Sequence, residues 1–155
     1  MTASTPTQKY LDTLLLYYEE EVEGEGFFQA LADRLNDADQ KAKMVIMADV
    51  ERFSAASVEP LLSKYQLTPK SKKELTLSGQ AHADSSSLDW IAILEGMAKT
   101  FPGCIDMFKD LEAMAPVEDL PMLEVLTAHE IAALDFLHLE LQGDPNSVSP
   151  MMNYL

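Results

Sequence analysis

Apolar residues recur along four long segments of the chain at alternating steps of three and four residues. Such spacing places the apolar side chains on one face of an α-helix. The pattern predicts helices over residues 7–35, 39–66, 87–114 and 119–142. In the first helix the apolar stripe consists of Leu14, Tyr18, Phe28, Ala32 and Leu35. The predicted fold is therefore all-α, an antiparallel four-helix bundle in which residues 1–155 form a single domain.

The segments between and after these helices carry different signals. Residues 68–87 lose the periodicity and are rich in Lys, Ser and Thr, so they predict a long crossover between helices two and three, with room for a short helical turn. Pro102 predicts a kink or a break in helix three, because proline removes a helical hydrogen bond. An irregular tail is predicted after Gly143.

Composition narrows the classes of partner and compartment. Asp and Glu outnumber Lys and Arg by 26 to 11, which gives a net charge of −15. Because nucleic acids and anionic membranes are bound by basic surfaces, neither is expected as a partner. Residues 1–9 lack the features of a secretory signal, and no apolar run is long enough to cross a bilayer. The single cysteine, Cys104, excludes an internal disulfide, so a cytoplasmic location is predicted.

Glutamates interrupt the apolar stripes near the middle of three predicted helices. Glu21 and Glu25 lie on the stripe of helix one, Glu51 on that of helix two and Glu130 on that of helix four. A buried carboxylate needs a proton, several hydrogen-bond donors or a cation. Since the chain contains only two arginines, a bound cation is the simplest partner. Glu25 is a secondary candidate because it ends a run of acids that must partly face solvent.

His129 directly precedes Glu130, and neighbouring residues of a helix point about 100° apart. We therefore expect His129 at a surface or packing position, although a swing of its side chain would make it an additional ligand. A weak internal repeat also relates the two halves of the chain. Aligning Phe28 with Phe108 superposes helices one and two on helices three and four and makes Glu51 equivalent to Glu130. Equivalent central acids in two helical hairpins indicate pseudo-twofold symmetry.

Three stretches of the sequence resemble the ferritin-like superfamily, and within it the rubrerythrin-related group. They are residues 21–32 (EVEGEGFFQALA), 47–54 (MADVERFS) and 128–133 (AHEIAA). The resemblance implies a ferritin-like bundle in which Glu21, Glu51 and Glu130 are metal ligands.

The sequence departs from that family at half of the expected ligands. Ser54 and Ala133 stand where the family has histidines three residues after the acids of helices two and four. The acid expected on helix three would fall near Phe101 or Gly103, where there is none. A standard six-ligand di-iron centre is therefore not predicted.

Two functions are consistent with these patterns. The leading one is a protein that binds iron, manganese or another divalent metal through Glu21, Glu51 and Glu130. Glu25 and His129 are additional ligand candidates, and an enzyme of this kind would be an oxidoreductase with non-haem iron chemistry. The alternative is a metal-free bundle whose methionine-lined interior holds an apolar ligand or whose flank binds a protein partner. A homodimer is expected by fold analogy, and no catalytic residue or electron donor is predicted.

Overall fold

The computed structural model describes residues 5–155, in which all regular secondary structure is helical. In chain order the helices are α1 (Gln8–Arg34), α2 (Ala38–Lys64), α3 (Lys72–Asp84), α4 (Trp90–Met114), α5 (Leu120–Leu141) and α6 (Ser149–Tyr154). A single 3-10 turn, Val117–Asp119, leads into α5. The prediction of an all-α chain is confirmed over these residues. None of the described helices has the length and apolar character that crossing a membrane requires.

Side-chain caps define the starts of the first four helices. The oxygen of each capping side chain accepts a hydrogen bond of 3.0 or 3.1 Å from the backbone N–H three residues later. The capping residues are Thr7, Asp37, Ser71 and Asp89. Each cap satisfies a donor that the first helical turn leaves free, so these boundaries are encoded locally.

Two segments predicted to be irregular contain helices. The crossover at residues 68–87 contains the 13-residue helix α3, and the C-terminal tail contains α6. The buried stripe of α3 consists of Leu75, Gly79 and Ala83. Because only one of these residues is large and apolar, the stripe produces almost no hydrophobic periodicity. Six residues of α6 are likewise too few for a periodic pattern.

Helix α4 runs through Pro102 without a break, so of the predicted kink or break the break is wrong. Pro102 is exposed, so water can hydrate the one carbonyl group that loses its helical donor. The helix is held on both sides of this position by the buried side chains of Leu94 and Phe108.

The helices pack in two pairs that meet through α2 and α5. Helix α1 packs against α2 and α3, whereas α4 packs against α5. Helix α6 covers parts of α5 and α2, and α1 touches α4 only lightly. This light contact leaves space between α1 and α4.

The apolar interior consists of two clusters that follow each other along the helix axes. One cluster includes Leu14, Leu61 and Leu123. The other includes Phe28, Met47 and Phe136. In α1, α2 and α5 the residues of the two clusters are separated by a short polar stretch, so the interior is polar at one level.

Glycines allow α3 to lie directly on α1. A Cβ atom on Gly26 would stand 2.8 Å from the carbonyl oxygen of Thr76, and one on Gly79 would overlap the carbonyl oxygen of Glu23. Any larger residue would separate the two backbones. The close approach holds α3 beside the part of α1 that carries the acids.

Candidate metal centre

Five polar side chains fill the interior between the two apolar clusters, and we call this group the polar layer. Its members are Glu21 of α1, Glu51 and Ser54 of α2, and His129 and Glu130 of α5. All five residues are buried, and the three glutamates expose at most 9% of their surface. Three helices that are distant in sequence therefore contribute charged groups to one buried position.

His129 lies at the centre of the polar layer. Its Nε2 atom is 2.9 Å from Glu21 Oε2, 3.6 Å from Glu51 Oε2 and 3.5 Å from Glu130 Oε2. One ligand atom each from Glu21, Glu51 and His129 lie within 4.8 Å of one another. Glu130 approaches His129 but falls outside this tighter group.

The other ring nitrogen fixes the orientation of His129. Nδ1 faces the backbone carbonyl oxygen of Leu126, one turn earlier in α5, and donates its proton there. A neutral imidazole in this tautomer presents the lone pair of Nε2 to the carboxylates. Nε2 is fully buried and, although Glu21 is 2.9 Å away, has no hydrogen bond of acceptable geometry. Since a buried nitrogen without a partner is costly, this position requires a proton or a cation.

Two small residues adapt α1 and α2 to the carboxylates. The Ser54 hydroxyl donates a hydrogen bond of 2.5 Å to Glu21 Oε2. Gly24 leaves room for Glu51, because a Cβ atom there would stand 3.0 Å from the carboxyl carbon of Glu51. A glycine inside a helix costs about 1 kcal/mol relative to alanine, and the space for Glu51 gives a physical reason for it.

Protons are distributed unevenly over the polar layer. Burial and the negative charge of Glu21 raise the pKa of Glu51 well above its usual value. Burial also raises the pKa of Glu130, to about 7. Burial acts in the same direction on Glu21, but the charge of His129 and hydrogen bonds outweigh it and lower the pKa of Glu21. Burial lowers the pKa of His129, but the charge of Glu21 more than offsets this and the pKa is raised to about 9.

The directions of these shifts favour the protonated form of His129 and Glu51 and the ionised form of Glu21 in the metal-free polar layer. A divalent cation would replace these protons, since a metal binds neutral imidazole and ionised carboxylates. Metal binding at this position would be coupled to the release of protons.

The donor set and the spacing fit a single transition-metal ion. Carboxylate oxygens with an imidazole nitrogen are ligands that suit iron and manganese. Atoms bound about 2.0 to 2.2 Å from one ion lie about 2.8 to 3.6 Å apart at right or tetrahedral angles. The distances from His129 Nε2 to Glu21, Glu51 and Glu130 are 2.9, 3.6 and 3.5 Å. Glu21, Glu51 and His129 could thus hold one ion.

A cavity of about 320 Å³ opens from the polar layer towards α4. Glu21, Glu51 and Glu130 lie at its polar end. Its walls include the apolar side chains of Tyr17, Phe28, Met97, Phe101, Cys104 and Phe108. Phe101, near which the ferritin-like resemblance predicts an acid on helix three, contributes an aromatic ring to the cavity. Burial raises the pKa of Cys104 to about 11, so this thiol is not ionised at neutral pH.

The structure brings four of the five sequence-predicted ligands together. Glu25 remains outside the polar layer, where its carboxylate lies 3.6 Å from the guanidinium of Arg52 on a partly exposed surface. Of the two positions expected for His129, the surface position is wrong, because the residue is fully buried, whereas burial is consistent with a packing position. Helix α5 is covered by α2, α4 and α6, so residues next to its inner stripe are buried as well.

Sequence patterns do not indicate the roles of Ser54 and Tyr154. Ser54 is a donor to Glu21, although it stands where the ferritin-like resemblance predicts a histidine. The Tyr154 hydroxyl donates to the carbonyl oxygen of Val125 at 3.0 Å. Burial raises the pKa of Tyr154, and the charges of Glu21 and Glu51 add to this effect. Neither role produces a periodic or motif-like signal.

Comparison with known proteins yields no relative of this chain. No protein-family model, no curated protein and no solved structure matches it. Any function of the polar layer must therefore be argued from its own geometry and chemistry.

Proposed function

We propose that this chain is a ferritin-like protein that binds one divalent transition-metal ion, iron or manganese, in the polar layer. Glu21, Glu51 and His129 are the ligands, and Glu130 is an additional ligand. The observation that carries the proposal is His129 Nε2, which is fully buried and faces three carboxylates, the nearest of them at 2.9 Å. A metal ion satisfies this nitrogen and the carboxylates together.

The arrangement of the helices supports the ferritin-like part of the proposal. The short connection at residues 35–37 makes α1 and α2 a hairpin, and α4 and α5 form a second one. Helix α3 lies in the connection between the hairpins. Ferritin-like bundles have such a long connection and hold metals with acids that project inward from their helices.

The ligand set differs from the six-ligand centre of that superfamily. Here the imidazole comes from His129, immediately before Glu130, and the positions three residues after Glu51 and Glu130 are Ser54 and Ala133. Helix α4 supplies neither a carboxylate nor an imidazole to the cavity. This set has enough donors for one ion but too few for two, so we propose a mononuclear site.

The residues of the polar layer and the two apolar clusters around it would bind, orient and shield a bound iron ion. Such an ion supplies electron-transfer and oxygen chemistry of the non-haem type. Glu21, Glu51 and His129 hold the ion, the His129–Leu126 hydrogen bond orients the imidazole, and the two apolar clusters exclude water from both ends.

Metal content per chain tests the proposal directly. Protein purified without chelator is loaded anaerobically with ferrous iron, freed of excess iron and analysed for its elements. We expect about one iron per chain in the unaltered protein and near-zero iron in Glu51→Gln. Glu25→Gln is the matched control, because it removes an acid from outside the polar layer and leaves the iron content unchanged. The same iron content in all three proteins would refute the site. A lack of iron in the unaltered protein would refute it as well.

The alternative function is a metal-free bundle that binds an apolar molecule. The specific observation in its favour is the cavity of about 320 Å³ with aromatic and methionine walls. In this case His129 and Glu51 keep their protons permanently, and iron or manganese has no effect on the melting temperature. A ligand that binds the native state raises its stability by mass action, so a metal-dependent increase in melting temperature excludes the alternative.

A further inference from the structure

We propose that the cavity between α1 and α4 binds an apolar molecule with an uncharged, oxygen-bearing head group, and that this head group lies at the metal ion of the polar layer. This inference rests on the proposed function, because the metal ion is the group that attracts the oxygen. The proposed substrate or ligand of the metal site is thus an apolar molecule with an uncharged oxygen.

The walls of the cavity require an apolar body. Phe28 of α1 faces Met97, Phe101 and Phe108 of α4, and the rings bury a hydrocarbon chain without leaving polar groups unsatisfied. Methionine side chains adapt to irregular shapes, which suits a flexible chain. The volume of about 320 Å³ lies at the lower end of the range for small-molecule sites, so the molecule is of medium chain length.

The two ends of the cavity differ, and this difference orients the molecule. Glu21, Glu51 and Glu130 lie at the inner end, next to His129. Glu20 and Glu23 also line the cavity, with His82 of α3, and these three side chains reach solvent. The outer side chains already contact water, whereas the inner glutamates are buried beside the metal ion, so a head group that binds the ion lies at the inner end and the hydrocarbon chain contacts the aromatic walls.

The charges around the cavity disfavour anionic and cationic head groups relative to an uncharged one. An anionic carboxylate would approach three inner and two outer glutamates, opposed by one divalent ion, so it is repelled. A cationic amine would compete with the metal ion for Glu21 and Glu51. An uncharged oxygen avoids both penalties and is a ligand that iron and manganese accept.

Cys104 provides a direct measurement of occupancy. Its thiol lines the cavity, and no other cysteine exists in the chain. The rate of its reaction with a maleimide is measured with and without octanol, in metal-free protein and in protein loaded with manganese. Octanoate and octylamine are the matched probes, since they carry the same hydrocarbon chain with an anionic and a cationic head group.

Two variants separate occupancy of the cavity from effects elsewhere. Met97→Trp fills the cavity and leaves every residue of the polar layer in place, so it retains manganese and loses octanol binding. Cys104→Ser combined with Ala113→Cys moves the thiol to an exposed position on the same helix. Octanol should not change the labelling rate of that thiol.

We expect saturating octanol to slow the labelling of Cys104 about tenfold in manganese-loaded protein, and its affinity to fall about tenfold without the metal. Octanoate should protect the thiol far less. If manganese binds but octanol gives no protection, the inference is overturned and the metal site stands. If manganese does not bind, the proposed function fails, and with it the placement of the head group. The inference would also be overturned if octylamine protected Cys104 from labelling more strongly than octanol does, and if manganese abolished this protection.

Discussion

Ser54 of α2 donates a hydrogen bond of 2.5 Å to the carboxylate of Glu21 in α1. This bond links two helices inside the polar layer and stabilises the ionised form of a fully buried acid. A serine thus occupies the position at which the ferritin-like resemblance predicts a histidine, and its hydroxyl group donates to the carboxylate of Glu21.

Ser54→Ala should destabilise the metal-free protein by about 1 to 3 kcal/mol, because a buried carboxylate then loses a donor. Ser63→Ala is the control, since Ser63 is exposed on the same helix and the change in helix propensity is identical. Unfolding in urea measures both free energies. Equal effects of the two substitutions would contradict a role for the hydroxyl group.

His129 should make the stability of the metal-free protein depend on pH. Its pKa is raised from 6.5 to about 9 in the folded state, chiefly because the charge of Glu21 outweighs burial. The stabilisation is therefore complete below pH 6.5 and is lost as the pH rises through about 9. The free energies of unfolding of the unaltered protein and His129→Gln should differ by about 3 kcal/mol at low pH and converge at high pH. A difference independent of pH would exclude a protonated His129.

The affinity for metal should increase with pH, because His129 and Glu51 must lose their protons to become ligands. Each proton released raises the affinity about tenfold per pH unit while the group is protonated in the free protein. Titration with manganese between about pH 6 and about pH 8 measures this slope. Glu130 has a pKa of about 7, so Glu130→Gln should reduce the slope within this interval. A flat profile would show that protons and metal do not share the site.

Gly79→Ala should loosen the crossover helix. The added methyl group would overlap the backbone of α1 at Glu23. Because no side-chain movement can relieve this overlap, we expect the free energy of unfolding to fall by about 3 kcal/mol. Gly103→Ala is the matched control, because a Cβ atom there meets nothing within 4 Å inside helix α4. It should stabilise the protein by about 0.5 to 1 kcal/mol. Thermal unfolding distinguishes the two directions.

Asp119 forms a second buried acidic site whose role is structural. Its carboxylate accepts hydrogen bonds from Tyr10 (2.7 Å), Tyr65 (2.6 Å) and Lys64 (2.7 Å). Burial raises the pKa of Asp119, but these hydrogen bonds outweigh burial and the pKa is lowered from 3.8. The stabilisation is therefore present above pH 3.8 and is lost as the pH falls.

Asp119→Asn should lower the free energy of unfolding by about 2 kcal/mol at neutral pH, because charge-assisted hydrogen bonds become neutral and one acceptor is lost. The exposed neighbour Glu118 supplies the control, Glu118→Gln, for which we expect almost no change. Metal content should be unaffected in both variants, since Asp119 lies in the 3-10 turn before α5 and outside the polar layer. Loss of metal in Asp119→Asn would contradict a purely structural role.

Local sequence signals predict the long helices well and the crossover poorly. The start of α1 at Thr7 and of α2 at Asp37 follows from caps whose hydrogen bonds span three residues. Helix α3 escapes prediction because it is held by the direct contact of Gly79 with α1 rather than by a row of large apolar side chains. A close approach of two backbones leaves no hydrophobic pattern in either segment.

The same division holds for the candidate site. The inner-face positions of Glu21, Glu51 and Glu130 can be predicted from the helical repeat of each segment alone. The burial of His129 beside them and the pairing of Glu25 with Arg52 depend on how the helices pack. The helical repeat relates the residues of one helix to each other, whereas burial of a given face depends on which distant helices cover it.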